Sequence, residues 1–138
     1  MRPYTEALRQ LKAAGLRPTR QRLSLAKLLF SGEENRHVTA EEVHAEAIAA
    51  GTPVSLATVY NTLNQFTGAG LLREIVVEPG RTYFDTNTTD HHHFLFESDG
   101  RLHDLPAEAL NLGKLPDLPE GTELNRVDVV IRLRDAAS

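Results

Sequence analysis

Residues 52–71, TPVSLATVYNTLNQFTGAGL, decide how the first half of this chain is read. Ser55 follows a short Thr-Pro-Val lead, where a hydroxyl satisfies the free backbone N–H groups of a helix start. Behind it Leu56, Val59, Tyr60, Leu63 and Phe66 recur at the spacing of one helix face. Immediately upstream, TAEEVHAEAIAAG (39–51) sets Glu42 three residues after Thr39, the capping-box arrangement, and stops at Gly51. Two helices joined by a tight Gly/Pro turn, the second opening on small polar residues, have the form of a helix-turn-helix that enters a major groove.

Working outward toward the N-terminus, TEALRQLKAAG (5–15) places Ala7, Leu8, Leu11 and Ala14 on one helical face and ends in Gly15. TRQRLSLAKLLFSG (19–32) follows with Leu25, Leu28 and Leu29 as its buried stripe. In the other direction, LLREIVV (71–77) and RTYFDT (81–86) are β-rich runs around Pro79-Gly80, which predicts a hairpin; helices followed by a hairpin suggest a winged helix. A polar break, NTTD (87–90), leads to HHHFLFE (91–97) and RLHDL (101–105), a second hairpin turning at Ser98-Asp99-Gly100. PAEALNLG (106–113) is expected to form a brief helix. ELNRVDVVIRLRD (123–135) is expected to be a last strand, with Val127, Val129 and Ile131 on one face and Val130 on the other. A second unit of this size is small for an independent core, so it is expected to dimerise.

The charge distribution divides the chain in the same way. Formal net charge is -4, but residues 1–27 carry seven basic groups against one acidic, whereas residues 76–138 carry six against twelve. A basic N-terminus suits a phosphate backbone; the acidic remainder keeps non-specific DNA affinity modest. No apolar run is long enough for a membrane helix and the N-terminus lacks the pattern of a secretory signal, so a cytoplasmic location is expected. Zero cysteines excludes disulfides, thiolate zinc sites and cysteine nucleophiles, so any metal must be held by nitrogen and oxygen.

Four of the six histidines fall in DHHHFLFESDGRLHD (90–104). On a strand, His91 and His93 point to one face and His92 to the other. A two-residue turn at Asp99-Gly100 would pair Phe96 with His103 and Leu95 with Asp104, making Asp104 a same-face diagonal neighbour of His93. His91, His93 and Asp104 then converge as a candidate metal site, while His92 and His103 look away and read as surface side chains. His91-x-His93 followed by Glu97 also resembles part of the ligand pattern of cupins, which leaves a small metal-dependent enzyme using His91 and His93 as the alternative. Against it, the following glycine comes too early and the first seventy residues are helical where a barrel needs strands. No Ser-His-Asp signature or Gly-rich phosphate loop supports another reaction class.

GLRPTRQR (15–22), HVTAEEVHAE (37–46), SLATVYNTLNQFTGAGLL (55–72) and YFD…HHHF…DGRLHD (83–104), in this order, resemble the ferric uptake regulator (Fur) family of metal-dependent transcription factors. The resemblance covers about residues 8 to 106. It implies an α+β chain: a winged helix-turn-helix DNA-binding domain over 1–86, a hinge at 87–90 and a small α/β dimerisation domain over 91–138. It further implies a regulatory metal site of His37, Asp85, His91, His93 and Asp104, adding two ligands to the three grouped by strand parity. Where many relatives hold a structural zinc with Cys-x-x-Cys pairs, this chain has Phe96 and Asp99, so that zinc is not expected. A second site found in some relatives would need an acid in place of His92 and a histidine in place of Asp90. Asn61 follows Tyr60 where an arginine is common, and asparagine reads adenine well and guanine poorly.

The cysteine-free FESDGRLHDLP (96–106) with a triple histidine resembles the rhizobial iron response regulator (Irr) branch, which implies haem sensing with His91, His92, His93 and His103 as candidates. Three imidazoles and two carboxylates favour Fe(II) or Mn(II), with Zn(II) as a third option. Phosphate contacts are expected from Arg17, Arg20 and Arg22, and base contacts from Ser55, Thr58, Tyr60 and Asn61. The expected partners are palindromic promoter DNA and a second copy of the chain, with no membrane and no small-molecule substrate.

Overall fold

The computed structural model describes residues 4–32, 34–78 and 81–137. Among the described residues there are four α-helices, α1 (Thr5–Ala13), α2 (Arg20–Phe30), α3 (Ala40–Ala49) and α4 (Leu56–Gly68). The strands are β1 (His37–Val38), β2 (Arg73–Glu78), β3 (Arg81–Asp85), β4 (His91–Phe96), β5 (Arg101–Pro106) and β6 (Val130–Leu133). The chain divides into two compact units after Thr88.

In the first unit α1 packs on α2, α2 on α3 and α3 on α4. Their common core is Leu11, Leu25, Leu29, Val43, Val59, Leu63 and Phe66, closed by Leu72 and Phe84 from the wing. The helix starts follow the side chains available there. Thr19, Thr39 and Ser55 adopt extended backbone angles, and each hydroxyl accepts from the backbone N–H three residues on, that of Arg22, Glu42 and Thr58. Thr39→Ala is expected to lower stability by about 1 kcal/mol, read as a shift of the urea midpoint with an unchanged slope. The apolar face predicted for α4 holds at Val59, Leu63 and Phe66, but Leu56 is exposed and Tyr60 half-buried. At its first turn α4 leaves Leu56 facing solvent.

The wing forms as expected, β2 and β3 pairing antiparallel with Arg73 opposite Asp85 and Ile75 opposite Tyr83. The Pro79-Gly80 turn lies outside the described residues. Two-residue β1 adds to the free edge of β3, so the order is β1-β3-β2, with His37 opposite Asp85 and Val38 opposite Phe84.

The second unit is a sheet ordered β5-β4-β6, β4 antiparallel to β5 and parallel to β6. The expected two-residue turn is instead four residues, Glu97 to Gly100, and Phe96 pairs with Arg101. Gly100, at φ +74°, donates its N–H to the Phe96 carbonyl at 2.8 Å, and the Asp99 carboxylate accepts from Arg101 N–H at 2.9 Å. The register therefore slips by two residues, an even number, so every side chain keeps its predicted face. The helix expected over 106–113 contracts to one 3-10 turn, Ala107–Ala109, closed by Leu110 N–H donating to the Ala107 carbonyl; Leu110 is already extended, and Gly113 bends at φ +66°. The last strand is shorter than expected, leaving Val127 and Val129 outside it. No helix among the described residues is long and apolar enough to cross a membrane.

Candidate functional site

Within the first unit, cross-strand pairing of β1 with β3 brings His37 Nε2 to 3.3 Å from Asp85 Oδ2. Asp85 is fully buried, and its other oxygen accepts from Asn87 N–H at 2.8 Å, which fixes the plane of the carboxylate. The backbone on either side is tied as well: Arg36 N–H donates to Thr86 Oγ1 at 2.8 Å, and Thr86 N–H to the Arg36 carbonyl at 3.0 Å.

Within the second unit, direct pairing of His93 with Asp104 replaces the diagonal relation expected from the sequence. One carboxylate oxygen, Asp104 Oδ1, lies 3.3 Å from His93 Nε2 and 3.4 Å from His91 Nε2. Both imidazoles are buried and meet edge to face with ring centroids 4.5 Å apart. His91 Nδ1 donates to the Thr89 carbonyl, which accepts only, so this nitrogen carries the proton and a neutral ring turns its Nε2 lone pair toward Asp104. A lone pair facing a carboxylate oxygen is repulsive unless a cation or a second proton lies between them. Two donors each about 2.1 Å from one ion, at angles of roughly 90–110°, stand about 3.0–3.4 Å apart. The separations in both units match that spacing, and a ring nitrogen held by a backbone carbonyl is the usual support of a metal-bound histidine. The residues fit a divalent cation with nitrogen and oxygen ligands.

His92 departs from the surface reading. It is buried, and its Nδ1 accepts from Val129 N–H at 3.1 Å, which docks the strand leading into β6. His103 is exposed, its ring stacked on Phe94 at 6.4 Å.

The residues expected at DNA fall on the first unit. Ser55 and Asn61 are exposed on α4, with Thr58 half-buried and hydrogen-bonded to Ser55 Oγ. Tyr60 donates its hydroxyl to Glu41 Oε1 at 2.9 Å, and that bond pushes the phenol above its ordinary pKa. Arg17 and Arg20 are exposed; Arg20 lines an open cleft of about 820 Å³ with Tyr4, Gln21, Ser24, Gly51 and Pro53. The Arg22 guanidinium donates to Gln65 Oε1 and to the Arg17 carbonyl, tying α2 to α4.

A charged residue beside His37, Arg36, gives no signal in the sequence. Arg36 donates bidentately to Glu46, at 3.0 and 2.6 Å, and to the Leu28 carbonyl at 3.0 Å; the bond to Glu46 holds its pKa above the ordinary arginine value. Its pairing across ten residues of loop and helix left no periodic signal.

A helical unit with a β-wing, joined in sequence to a small sheet bearing histidine and aspartate donors, defines a metal-responsive winged-helix regulator of transcription. The chain belongs to the Ferric uptake regulator family, which matches residues 13–128. It is 34% identical over 107 residues to the peroxide-responsive repressor PerR of Staphylococcus aureus, covering 77% of this chain and 70% of that protein. Among solved structures, the ferric uptake regulator of Pseudomonas aeruginosa with manganese is similar at TM-score 0.70 and 28% identity, over 95% of this chain and 98% of that one. The Vibrio cholerae ferric uptake regulator is similar at TM-score 0.70 and 26% identity, over 92% and 98%. Members of this family are DNA-binding transcription regulators and not enzymes, which removes the cupin-like alternative.

Proposed function

We propose that this chain is a homodimeric repressor whose binding to palindromic promoter DNA depends on one Fe(II) or Mn(II) ion per subunit, held by His37, Asp85, His91, His93 and Asp104. The observation that carries this reading is the convergence of His91 Nε2 and His93 Nε2 on the single oxygen Asp104 Oδ1. The ion, when bound, supplies the positive charge that lets these donors share one point. His37 and Asp85 belong to the unit carrying α4, and the other three to the unit expected to dimerise, with 87–90 as the hinge. Joining them sets the separation of the two α4 helices in a dimer, and operator half-site spacing reads that separation. The Pseudomonas aeruginosa relative solved with manganese supports Mn(II) as the first ion to test.

Genes of iron and haem homeostasis are the proposed targets, as in the Irr branch. For haem itself the supporting residue is His103, since His91, His92 and His93 are only 4 to 6% exposed. The test is operator affinity by fluorescence anisotropy for chelated, Mn(II)-loaded, Fe(II)-loaded and haem-treated full-length protein. A gain of about tenfold or more on Mn(II) or Fe(II) is expected, lost in the His91→Ala/His93→Ala double variant. Equal binding by chelated and loaded protein would sink the metal reading; the absence of a Soret shift with haem would sink the haem reading alone.

A further inference from the structure

The His37–Asp85 pair is built into a wider lattice of polar contacts that α3 shares. Arg36 directly precedes His37, and Thr86 directly follows Asp85. Their two backbone-directed hydrogen bonds, 2.8 and 3.0 Å, make the two flanks move as one piece. The Arg36 side chain leaves this piece in the opposite direction. It grips both carboxylate oxygens of Glu46 on α3 and the Leu28 carbonyl in the last turn of α2.

From its middle and its first turn, α3 also holds the helix proposed to read DNA. His44 Nε2 donates to the Val54 carbonyl at 3.0 Å, one residue before the Ser55 cap, and Glu41 accepts from Tyr60 on α4. Val43 and Ala47 are fully packed against the shared core, so α3 transmits a displacement as a rigid rod instead of absorbing it. A chain of short contacts therefore runs from His37 through Arg36 and Glu46 to α3, and from α3 to Val54, just ahead of the α4 cap, and to Tyr60 in the second turn of α4.

Resting on the metal-dependent reading above, we propose that Arg36 is a positioning residue that couples cation occupancy at His37 and Asp85 to the placement of α4, through its fork to Glu46. Arg36 does not ligate. Its planar fork serves Glu46 and Leu28 at once, a geometry that a lysine ammonium cannot reproduce.

The experiment uses full-length protein, with Mn(II) affinity measured by electron paramagnetic resonance and operator affinity by anisotropy, each with and without Mn(II). The variants are Glu46→Gln, Arg36→Lys and the charge-exchanged Arg36→Glu/Glu46→Arg, with His37→Ala beside them. For Glu46→Gln and Arg36→Lys the expected result is Mn(II) affinity within about threefold of the parent and a metal-induced gain in operator affinity reduced about fivefold or more. The exchanged pair is expected to recover part of that gain. A gain equal to the parent's in both single variants overturns the proposal. So does a loss of Mn(II) binding that matches the loss of gain, because Arg36 would then only shape the site. If the parent itself shows no gain with Mn(II), the metal-dependent reading fails; if His37→Ala keeps the parent's gain, His37 does not hold the responsive cation and the proposal is overturned at its starting point, an outcome distinct from a failure of the fork alone. Melting temperatures on the same samples separate unfolding from uncoupling: a variant that has lost its cooperative melt is replaced in the comparison by the exchanged pair, whose failure to recover any gain counts against the proposal.

Discussion

Replacing Asp104 by alanine is expected to weaken Mn(II) binding about 100-fold or more, beyond what loss of an outer-shell partner produces, and to remove the metal-induced gain in operator affinity. The reason is geometric. A single oxygen, Oδ1, faces both His91 and His93 at 3.4 and 3.3 Å, so its loss leaves two imidazoles aimed at a point with no countercharge. Stability should change little, because the Asp104 side chain is 34% exposed and β5 is held to β4 by backbone pairing across six registered positions. Asp99→Ala on the same hairpin is the control. That carboxylate turns toward Arg101 N–H, away from the histidines, so Mn(II) affinity should stay unchanged. Mn(II) titration by electron paramagnetic resonance on both variants decides the matter: an Asp104→Ala protein that binds like the parent would remove Asp104 from the site.

What the sequence reveals follows from the range of the interactions involved. Helices α3 and α4 are legible because Thr39, Ser55 and the spacing of Val59, Leu63 and Phe66 act within a few residues of one another. The grouping of His91, His93 and Asp104 survives a misjudged turn because the slip is even and parity is all the argument used. Strand β1 is not legible: two residues carry no periodicity, and its partner Asp85 lies 48 positions away. Only the family resemblance points to His37, and the pairing of β1 with β3 is the reason it lies beside Asp85. Burial of His92 is not legible, because a buried histidine with a backbone donor, here Val129 N–H, looks in sequence like any strand-edge histidine.

The polar contacts around the His37–Asp85 pair are the least legible in the sequence. Arg36 and Glu46 carry ordinary surface-type charges, and only the folded path of the chain between α2 and β1 brings them together with the Leu28 carbonyl. The same holds for Arg22, whose donors serve Gln65 Oε1 and the Arg17 carbonyl, contacts that leave no mark on the sequence. Charged residues near a functional site divide into those that face the partner and those that hold the frame, and composition does not separate the two.

Phe66→Ala is expected to cost about 3–5 kcal/mol and to lower the melting temperature of the first unit by about 15–30 °C. Phe66 is fully buried on α4 and meets the Phe30 ring at 6.4 Å, so truncation leaves a cavity where α2 and α4 converge. A domain of this size has about 5–15 kcal/mol in hand, so the loss removes a large part of it. Every residue of the cluster around Phe66 belongs to residues 1–88, whereas Leu95 and Leu102 of the second unit are buried within their own sheet. The damage should therefore be confined: calorimetry is expected to show the transition of the first unit moved and that of the second retained. Operator binding should fail at temperatures where amide signals from β4 and β5 remain dispersed. A shift under about 5 °C would mean that Phe66 is not the centre of the core, and simultaneous loss of both transitions would mean that the two units fold as one.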